Sequence, residues 1–475
     1  MIPFSPEIIR EYRELGAWGG HRLTDLFERN VDAKPTSMAL VDAPNKADFS
    51  IGAPRRFTYD ELRNEVNRLA VVLLSEGFVK DDIILVQVPN IAELVILYLA
   101  ASRIGLIISP IPVQYREKEI KDILSTMGAN AYFTTTRFKN FSHADYFAEK
   151  IDFRGLRIYT WGENPPKSAI SLDWLVLQIS DDHLLGEYLN SFSLSADDIF
   201  TICWTSGTTG QPKGVPRTHN NWITTGVSNI ESVGLREGDC LMVPFPAVNM
   251  SSVGGIFLPW LMTAGKLVLH HPFDMKVFFY QIKQEAVNYT VAAPALLNMI
   301  LKDPVILKYM EIGSLRNLTT GSAPPDAWMM KAFQYDYGIA ITNFYGSNEG
   351  TPLCSAYADI PDPEKRAKYF PRAGVPRYKW RNRADNWITT KLVDEKGALI
   401  DTPGKPGELL ARGPSLFPGY YRKGGILDRS AFDSDGFFYT GDLFEIATED
   451  GDPRFYRFVG RKKDLIIRGG MNISP

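Results

Sequence analysis

Cysteine is scarce in this chain. Cys203, Cys240 and Cys354 are the only three in 475 residues. They lie far apart, show no metal-ligand spacing and sit among apolar or small residues, so buried thiols in a reducing cytoplasm are the default. No apolar run is long enough to span a bilayer. The most apolar region, Leu94 to Ile108, is broken by Ser102-Arg103. The N-terminus carries Glu7, Glu11 and Glu14 and lacks the apolar core of a signal peptide. There is no excess of positive charge. The formal net charge is −3, so no global basic field points to nucleic acid. Internal repeats and low-complexity tracts are missing too. What remains is ordinary globular material, 45% hydrophobic and 23% charged. That is enough for more than one core and, at this length, for two or three structural units.

Taken in order, the chain alternates strand and helix signals. Pro6 to Leu15 and Arg22 to Arg29 read as helices, and Ala39 to Val41 as a short strand. Thr58 and Glu61 have capping-box spacing ahead of Leu62, Val66, Leu69, Ala70 and Leu73, and Gly77 ends that helix. Asp82 to Val88 reads as a buried strand, and Asn90 as the cap of an apolar helix through Arg103. Leu106 to Ile108 and Ala131 to Thr134 read as strands and Arg116 to Met127 as a helix. Lys150 to Ser180 is less regular. Further on, helices are expected at Asn221 to Ser232, Val253 to Thr263 and Val277 to Gln284. Strands are expected at Cys240 to Val243, Lys266 to His270 and Tyr289 to Ala292. This alternation implies α/β architecture with parallel-type sheets covered by helices. From Ala373 onward, Gly, Pro and charged residues punctuate short β-prone pieces, which suggests a small β-barrel or curled sheet.

The stretch with most chemistry is Trp204-Thr205-Ser206-Gly207-Thr208-Thr209-Gly210-Gln211-Pro212-Lys213-Gly214-Val215, which follows the β-prone run Ile199 to Cys203. Hydroxyls, glycines that allow close backbone approach, and one ammonium make a loop suited to phosphate oxygens. A Ser/Gly-rich surface loop is the plain alternative. A Walker loop is excluded, because Pro212 precedes the lysine and Gly214 follows it where Ser or Thr is needed.

This stretch resembles the signature phosphate loop of the adenylate-forming superfamily, which includes acyl- and aryl-CoA synthetases, peptide-synthetase adenylation domains and luciferase. Further stretches resemble that family's motifs in the same order. Gly321-Ser322-Ala323-Pro324 resembles the turn that lies against adenine. Asn343-Phe344-Tyr345-Gly346-Ser347-Asn348-Glu349 resembles the aromatic-Gly-x-Thr-Glu motif, with Asn348 standing where threonine is usual. The resemblance implies that Tyr345 stacks on adenine and that Glu349 takes part in binding Mg²⁺, an ion that prefers oxygen ligands. Tyr439-Thr440-Gly441-Asp442-Leu443 resembles the ribose motif, with Asp442 as acceptor of the ribose hydroxyls. Gly460-Arg461-Lys462-Lys463-Asp464 resembles the hinge motif, with Arg461 on the nucleotide and Lys463 at the domain hinge. Taken singly, Tyr345 could be a core aromatic, Asp442 a turn cap, and Arg461 to Asp464 a solvated charge cluster.

The resemblance implies a layered αβαβα fold with a small β-barrel subdomain. It places a large adenylation domain at 1–457, made of layered α/β subdomains at 1–372 and the barrel at 373–457. The hinge motif then occupies 458–475, with the family's small C-terminal lid, ~100 residues, absent. It implies ATP and Mg²⁺ as cofactors, a carboxylic acid as substrate, and coenzyme A or a carrier-protein pantetheine as thiol acceptor. Lys213, Thr205, Thr208, Thr209 and Glu349 would serve catalysis, joined in nucleotide binding by Ser206 and Gly207. The acid pocket would draw on Asn249, Ser252, Val253, Gly321, Tyr345 and Gly346. Aryl-acid activators often carry His-Asn in the segment after Pro244. This chain has Val248-Asn249 there, and its opening Tyr12-Arg13-Glu14-Leu15-Gly16-Ala17-Trp18 resembles dihydroxybenzoate-activating enzymes and cyclic-acid CoA ligases. Both point to a ring-bearing acid, although Asn249 could simply close a turn. The expected activity is that of an acid–CoA ligase. The alternatives are an aryl-acid adenylation module serving a carrier protein, and a nucleotide-holding subunit that needs a separate lid protein.

Overall fold

Ile83–Gln87, Ile107–Pro110 and Ala131–Thr135 are nearly continuous runs of branched and aromatic residues, and every side chain in them is buried. Strands buried on both faces belong to the middle of a parallel sheet, and that is where the computed structural model places them. The structure describes residues 1–151, 155–179, 183–206, 211–448, 452–462, 466–468 and 471–473. Residue contacts divide the chain into two units. The first comprises Met1–Gly226, Leu235–Val291 and Phe417–Asp428, and the second Val227–Gly234, Ala292–Leu416 and Arg429–Pro475. The 372/373 boundary expected from the sequence falls inside the second unit.

The first unit contains a nine-stranded sheet. Its order is Ile426–Asp428, Tyr420–Arg422, Pro212–Thr218, Ile199–Ser206, Ile107–Pro110, Ile83–Gln87, Ala131–Thr135, Arg157–Trp161 and Ala169–Ser171. Pairing is parallel from Ile199–Ser206 onward and antiparallel among the first four strands of that order, at one edge. The same unit holds a second set of strands, Tyr289–Val291, Cys240–Val243, Lys266–Leu269 and Met38–Val41 in parallel, with Arg56–Thr58 antiparallel at the edge. The core of the first sheet includes Leu85, Ile107, Ile123, Tyr132, Ile202 and Trp204.

The helices mostly begin and end where local chemistry dictates. Thr58 accepts from Glu61 N, and Glu61 accepts from Thr58 N at 2.8 Å, so the capping box starts helix Tyr59–Ser75 as expected. Three expectations are corrected. Asn90 does not cap Ala92–Ile104. That helix start is held by Asp42, which accepts from Ala92 N at 2.8 Å, and Asn90 is drawn away to the chain after Val243. Within Lys150 to Ser180 there is regular structure, Arg157–Trp161, Ala169–Ser171 and helix Leu172–Gln178; the strands are short and lie toward the sheet edge, where the hydrophobic pattern is weakest. Finally, the buried helix expected from Val253 begins at Met250, as a widened turn over Met250–Phe257 that runs into Leu258–Thr263. Leu258 N donates to Val253 O, five residues back.

In the second unit, Asn317–Thr320 pairs in parallel with Ala340–Ser347, which forms a hairpin with Gly350–Ser355. The β-prone pieces after Ala373 join Tyr369–Pro371 in a six-stranded antiparallel sheet. Its order is Tyr369–Pro371, Phe455–Arg461, Phe438–Ile446, Gly407–Arg412, Thr389–Val393 and Leu399–Ile400. Leu353, Phe370, Leu392, Leu409, Phe444 and Tyr456 belong to its core. Among the described residues, no helix is long and apolar enough to cross a membrane.

Candidate functional site

In the first unit, the expected phosphate grip lies at the carboxyl end of a parallel-sheet strand, the usual ligand position in α/β sheets. Ile199–Ser206 pairs with Pro212–Thr218 so that Thr205 stands opposite Lys213 and Ser206 opposite Pro212. Directly opposed residues share a face, so the Thr205 hydroxyl and the Lys213 stem project to the same side. The Lys213 ammonium lies 4.5 Å from the Tyr420 ring centroid, a cation–π contact that holds it near the hairpin. Gly214 is closely packed. A Cβ there would meet Ile202 at 3.1 Å and the Trp204 ring at 3.3 Å. Trp204 Nε1 donates to Ser109 Oγ at 2.7 Å, which fixes the strand to its neighbour. Gly207, Thr208 and Thr209, named as site residues, lie outside the described residues, as do Gly210 and Lys463.

The expected acid-pocket segment also follows a strand end, that of Cys240–Val243. Asn90 Nδ2 donates to Phe245 O at 2.7 Å, its Oδ1 accepts from Ala247 N at 2.8 Å, and Tyr98 Oη donates to Ala247 O at 2.8 Å. The segment is thus pinned by the two neighbouring elements. Asn249 caps the widened turn by accepting from Ser252 N at 3.4 Å, and Ser252 Oγ donates to Phe245 O at 3.1 Å. Ser252 and Val253 are each 1% exposed. Their visible work is to hold the loop, whereas Asn249 remains half-buried. The widened turn lies against the helix that follows the phosphate hairpin. A Cβ on Gly254 would meet Thr225 at 2.8 Å and Trp222 at 3.1 Å.

In the second unit, Gly321 and Tyr345 come together because Thr320 pairs with Asn343. A Cβ on Gly321 would meet Phe344 O at 2.9 Å. Ser322 has φ +69° and turns the chain, leaving Ser322, Ala323 and Pro324 exposed. Asn343 is buried and donates to Ala367 O at 3.5 Å. The hairpin register shifts between Tyr345 and Ser347, so Gly346 sits in a bulge, and Asn348-Glu349 makes the turn before Gly350. Glu349 is 7% exposed. The turn is held closely, since a Cβ on Gly350 would meet Leu416 at 2.4 Å.

Tyr345 meets Phe444 edge to face at 4.8 Å and lies near Phe370 and Phe458. Its hydroxyl donates to Asp442 Oδ2 at 2.5 Å. Burial first, and then the Asp442 charge, push the Tyr345 phenol well above its ordinary range, so it stays protonated and a donor. Asp442 stands opposite Arg461 in the sheet, with Arg461 Nε 3.7 Å from Oδ1. The expected adenine, ribose and nucleotide residues therefore form one corner. Glu408 and Lys462 were not expected there. Glu408 Oε1 accepts from Gly441 N at 3.1 Å and its Oε2 from Lys462 Nζ at 2.7 Å. The sequence carries little signal of this pair, which joins positions far apart in the chain.

Among the described residues, no three His, Cys, Asp or Glu converge as ligands for a metal ion. The single buried carboxylate of Glu349 fits an ion that takes most of its ligands from phosphate and water, as Mg²⁺ does.

The family model described as AMP-binding enzyme matches residues 27–421. The chain is 28% identical over 484 residues to the medium-chain fatty-acid–CoA ligase of Escherichia coli (strain K12), covering all of this chain and 78% of that protein. It is 27% identical over 492 residues to enterobactin synthase component E of the same strain, covering all of this chain and 82% of that protein. Among solved structures, that of apo MbtA from Mycobacterium smegmatis is similar in fold, with a TM-score of 0.79 at 23% identity over 99% of this chain and 81% of MbtA.

Proposed function

We propose, from the premise that this chain belongs to the AMP-binding enzyme family, that it uses ATP to turn a carboxylic acid into an acyl-adenylate with release of pyrophosphate. The observation that carries this reading is the Tyr345–Asp442–Arg461 corner. It supplies an aromatic ring, an ionised acceptor pair and a cation within one small region, the set of groups a nucleoside needs. Asp442 keeps lone pairs for ribose hydroxyls while it accepts from Tyr345, because each carboxylate oxygen can accept more than one hydrogen bond.

The acid is already ionised at neutral pH, so no general base is required. Its carboxylate oxygen forms a bond to the α-phosphorus as the bond to pyrophosphate breaks. Both reactants are anionic, and the barrier falls when their charge is compensated and their line of approach fixed. Lys213 and Thr205, on one face of their hairpin, would bind the phosphates together with Ser206, Thr208 and Thr209. Glu349 would hold Mg²⁺, which supplies charge neutralisation to the phosphates when bound. Asn348 can donate through its amide where the family has a hydroxyl. The Gly321 turn would border adenine and acid, and Asn249 would meet a polar group on the acid's ring.

The second step transfers the acyl group to a thiol, and we assign coenzyme A as the acceptor. The protein would work in the cytoplasm, where its three buried and unbridged thiols stay reduced. Burial pushes the Cys240 thiol up to about 12, which keeps it inert. Carrier-protein pantetheine is the second reading, favoured by Asn249 and by the similarity to enterobactin synthase component E over all of this chain and 82% of that protein. One assay tests both: thioester formation from aromatic, alicyclic and fatty acids with ATP, offered either coenzyme A or a holo-carrier protein. Acyl-CoA from a ring-bearing acid is expected. Thioester on the carrier alone would move the protein to the second reading, and no thioester or adenylate with any acid would refute the proposal.

A further inference from the structure

The ribose corner stands on a bulge that is not self-supporting. Leu410 faces Tyr439 and Glu408 faces Leu443 across the Gly407–Arg412 and Phe438–Ile446 strands. Thr440, Gly441 and Asp442 therefore stand opposite Leu409 alone, and Gly441 takes φ +76° to make the turn. A bulge leaves ladder groups without strand partners. Here Thr440 Oγ1 donates to Leu409 O at 2.7 Å and accepts from Asp442 N at 3.2 Å. The Gly441 N–H goes to the Glu408 carboxylate at 3.1 Å, and Gly441 O accepts from Lys462 N at 2.9 Å. The Glu408 side chain is only 8% exposed, and its second oxygen takes the Lys462 ammonium at 2.7 Å.

From this arrangement we infer that Glu408 is a positioning residue for nucleotide binding, a role that rests on the function proposed above. One buried carboxylate grips the residue before Asp442 and the residue after Arg461. It thereby sets the spacing between the acceptor and the cation that meet the nucleotide. It touches neither ligand nor reacting atoms. A buried carboxylate bonded to a backbone N–H and an ammonium is rigid, because leaving either partner unmet in the interior is costly. Without it, the Gly441 N–H has no partner in the bulge and Asp442 is free to move from its register opposite Arg461.

The test must separate positioning from general support of the fold. Calorimetric titration with ATP and with 2′,3′-dideoxy-ATP does so without turnover, because the ratio of the two affinities reports only the ribose contact. Wild type is expected to prefer ATP by roughly tenfold or more, the value of hydrogen bonds to a charged acceptor. Glu408→Ala is expected to reduce that preference to about twofold or less, while Glu408→Gln, which can still accept from Gly441 N, retains most of it. A loss of general support would instead weaken both ligands alike and leave the ratio unchanged, which would overturn the inference while the nucleotide reading stands. If Glu408→Ala does not fold by its melting curve, Lys462→Met decides, since that side chain is 52% exposed and can be replaced without opening the core. At least a threefold fall in preference is expected, and an unchanged ratio overturns the inference. A wild type that binds neither nucleotide, or both equally, would instead refute the nucleotide reading itself and the inference with it.

Discussion

Thr205 and Lys213 face each other across a single hairpin, whereas Asp442 takes its hydrogen bond from Tyr345, 97 residues earlier in the chain. Glu408 reaches Lys462 over 54 residues. The hairpin sets Thr205 against Lys213 by local pairing, and Tyr420, from farther along the chain, meets the cation with its ring. The ribose corner exists only when its sheet has closed, so its geometry depends on cooperative folding of the second unit. The two units also differ in buried charge. All six histidines lie in the first unit. There, burial first pulls His143 and His271 down to about 4 and His219 down to about 3. Each unit also buries a carboxylate that burial raises: Asp42 in the first, and in the second Asp385, pushed well above its usual range by burial and then by Asp359 and Glu231.

The largest expected effect sharpens this contrast through pH. Between about 4 and 6.5, unfolded histidines bind protons that the buried imidazoles refuse, so the first unit loses stability as pH falls through that window. The loss is on the order of 3 kcal/mol each for His143 and His271. Asp385 works in the opposite sense: the folded state keeps a proton that the unfolded chain releases above the ordinary carboxylate range, so its contribution weakens as pH rises. Hydrogen exchange read separately in residues 1–226 and 292–416, from pH 7 to pH 4, should show protection falling in the first and not in the second. His271→Gln should flatten the first slope, and Asp385→Asn should raise protection of the second unit at pH 7. Equal slopes in both units would contradict the assignment of these groups.

Lys213→Ala should lower turnover by about 10²–10³-fold, the usual loss when one charge-stabilising donor is removed, with a smaller change in ATP affinity. Asp442→Asn should do the reverse, weakening ATP by about ten- to a hundredfold through loss of charged acceptors. Steady-state kinetics beside direct titration distinguishes the two patterns. If both variants changed kcat and affinity in the same proportion, the division of labour between hairpin and corner would fail. Tyr345→Phe is the mildest change. It removes one donor from Asp442 and should weaken ATP by about three- to tenfold, with the aromatic packing on Phe444 retained. An unaltered affinity would make the hydroxyl a bystander.

The same contrast explains what could be read from the sequence. The phosphate stretch was legible because its hydroxyls, glycines and lysine are contiguous. The parallel strands were legible because full burial writes Val and Ile runs into the chain. Tyr345 and Asp442 were named only through resemblance, and their mutual hydrogen bond was not visible from either motif. Glu408 lies in the strand Gly407–Arg412, a plain β-prone run, and nothing in its local pattern marks it. Asn90 misled because Asn before an apolar helix usually caps it, but here Asp42, from a different strand end, fills that role. Asn249, named for the acid pocket, caps the widened turn, the local role that an Asn ahead of a helical turn usually takes.

Acid-dependent exchange of labelled pyrophosphate into ATP tests the central claim most directly, because it needs the nucleotide corner, the phosphate hairpin and a bound acid in one reversible step. The account predicts exchange that requires a carboxylic acid, falls steeply in Lys213→Ala and Asp442→Asn, and proceeds without thiol. Exchange that ignores the acid, or ATP cleaved to ADP and phosphate instead, would contradict it.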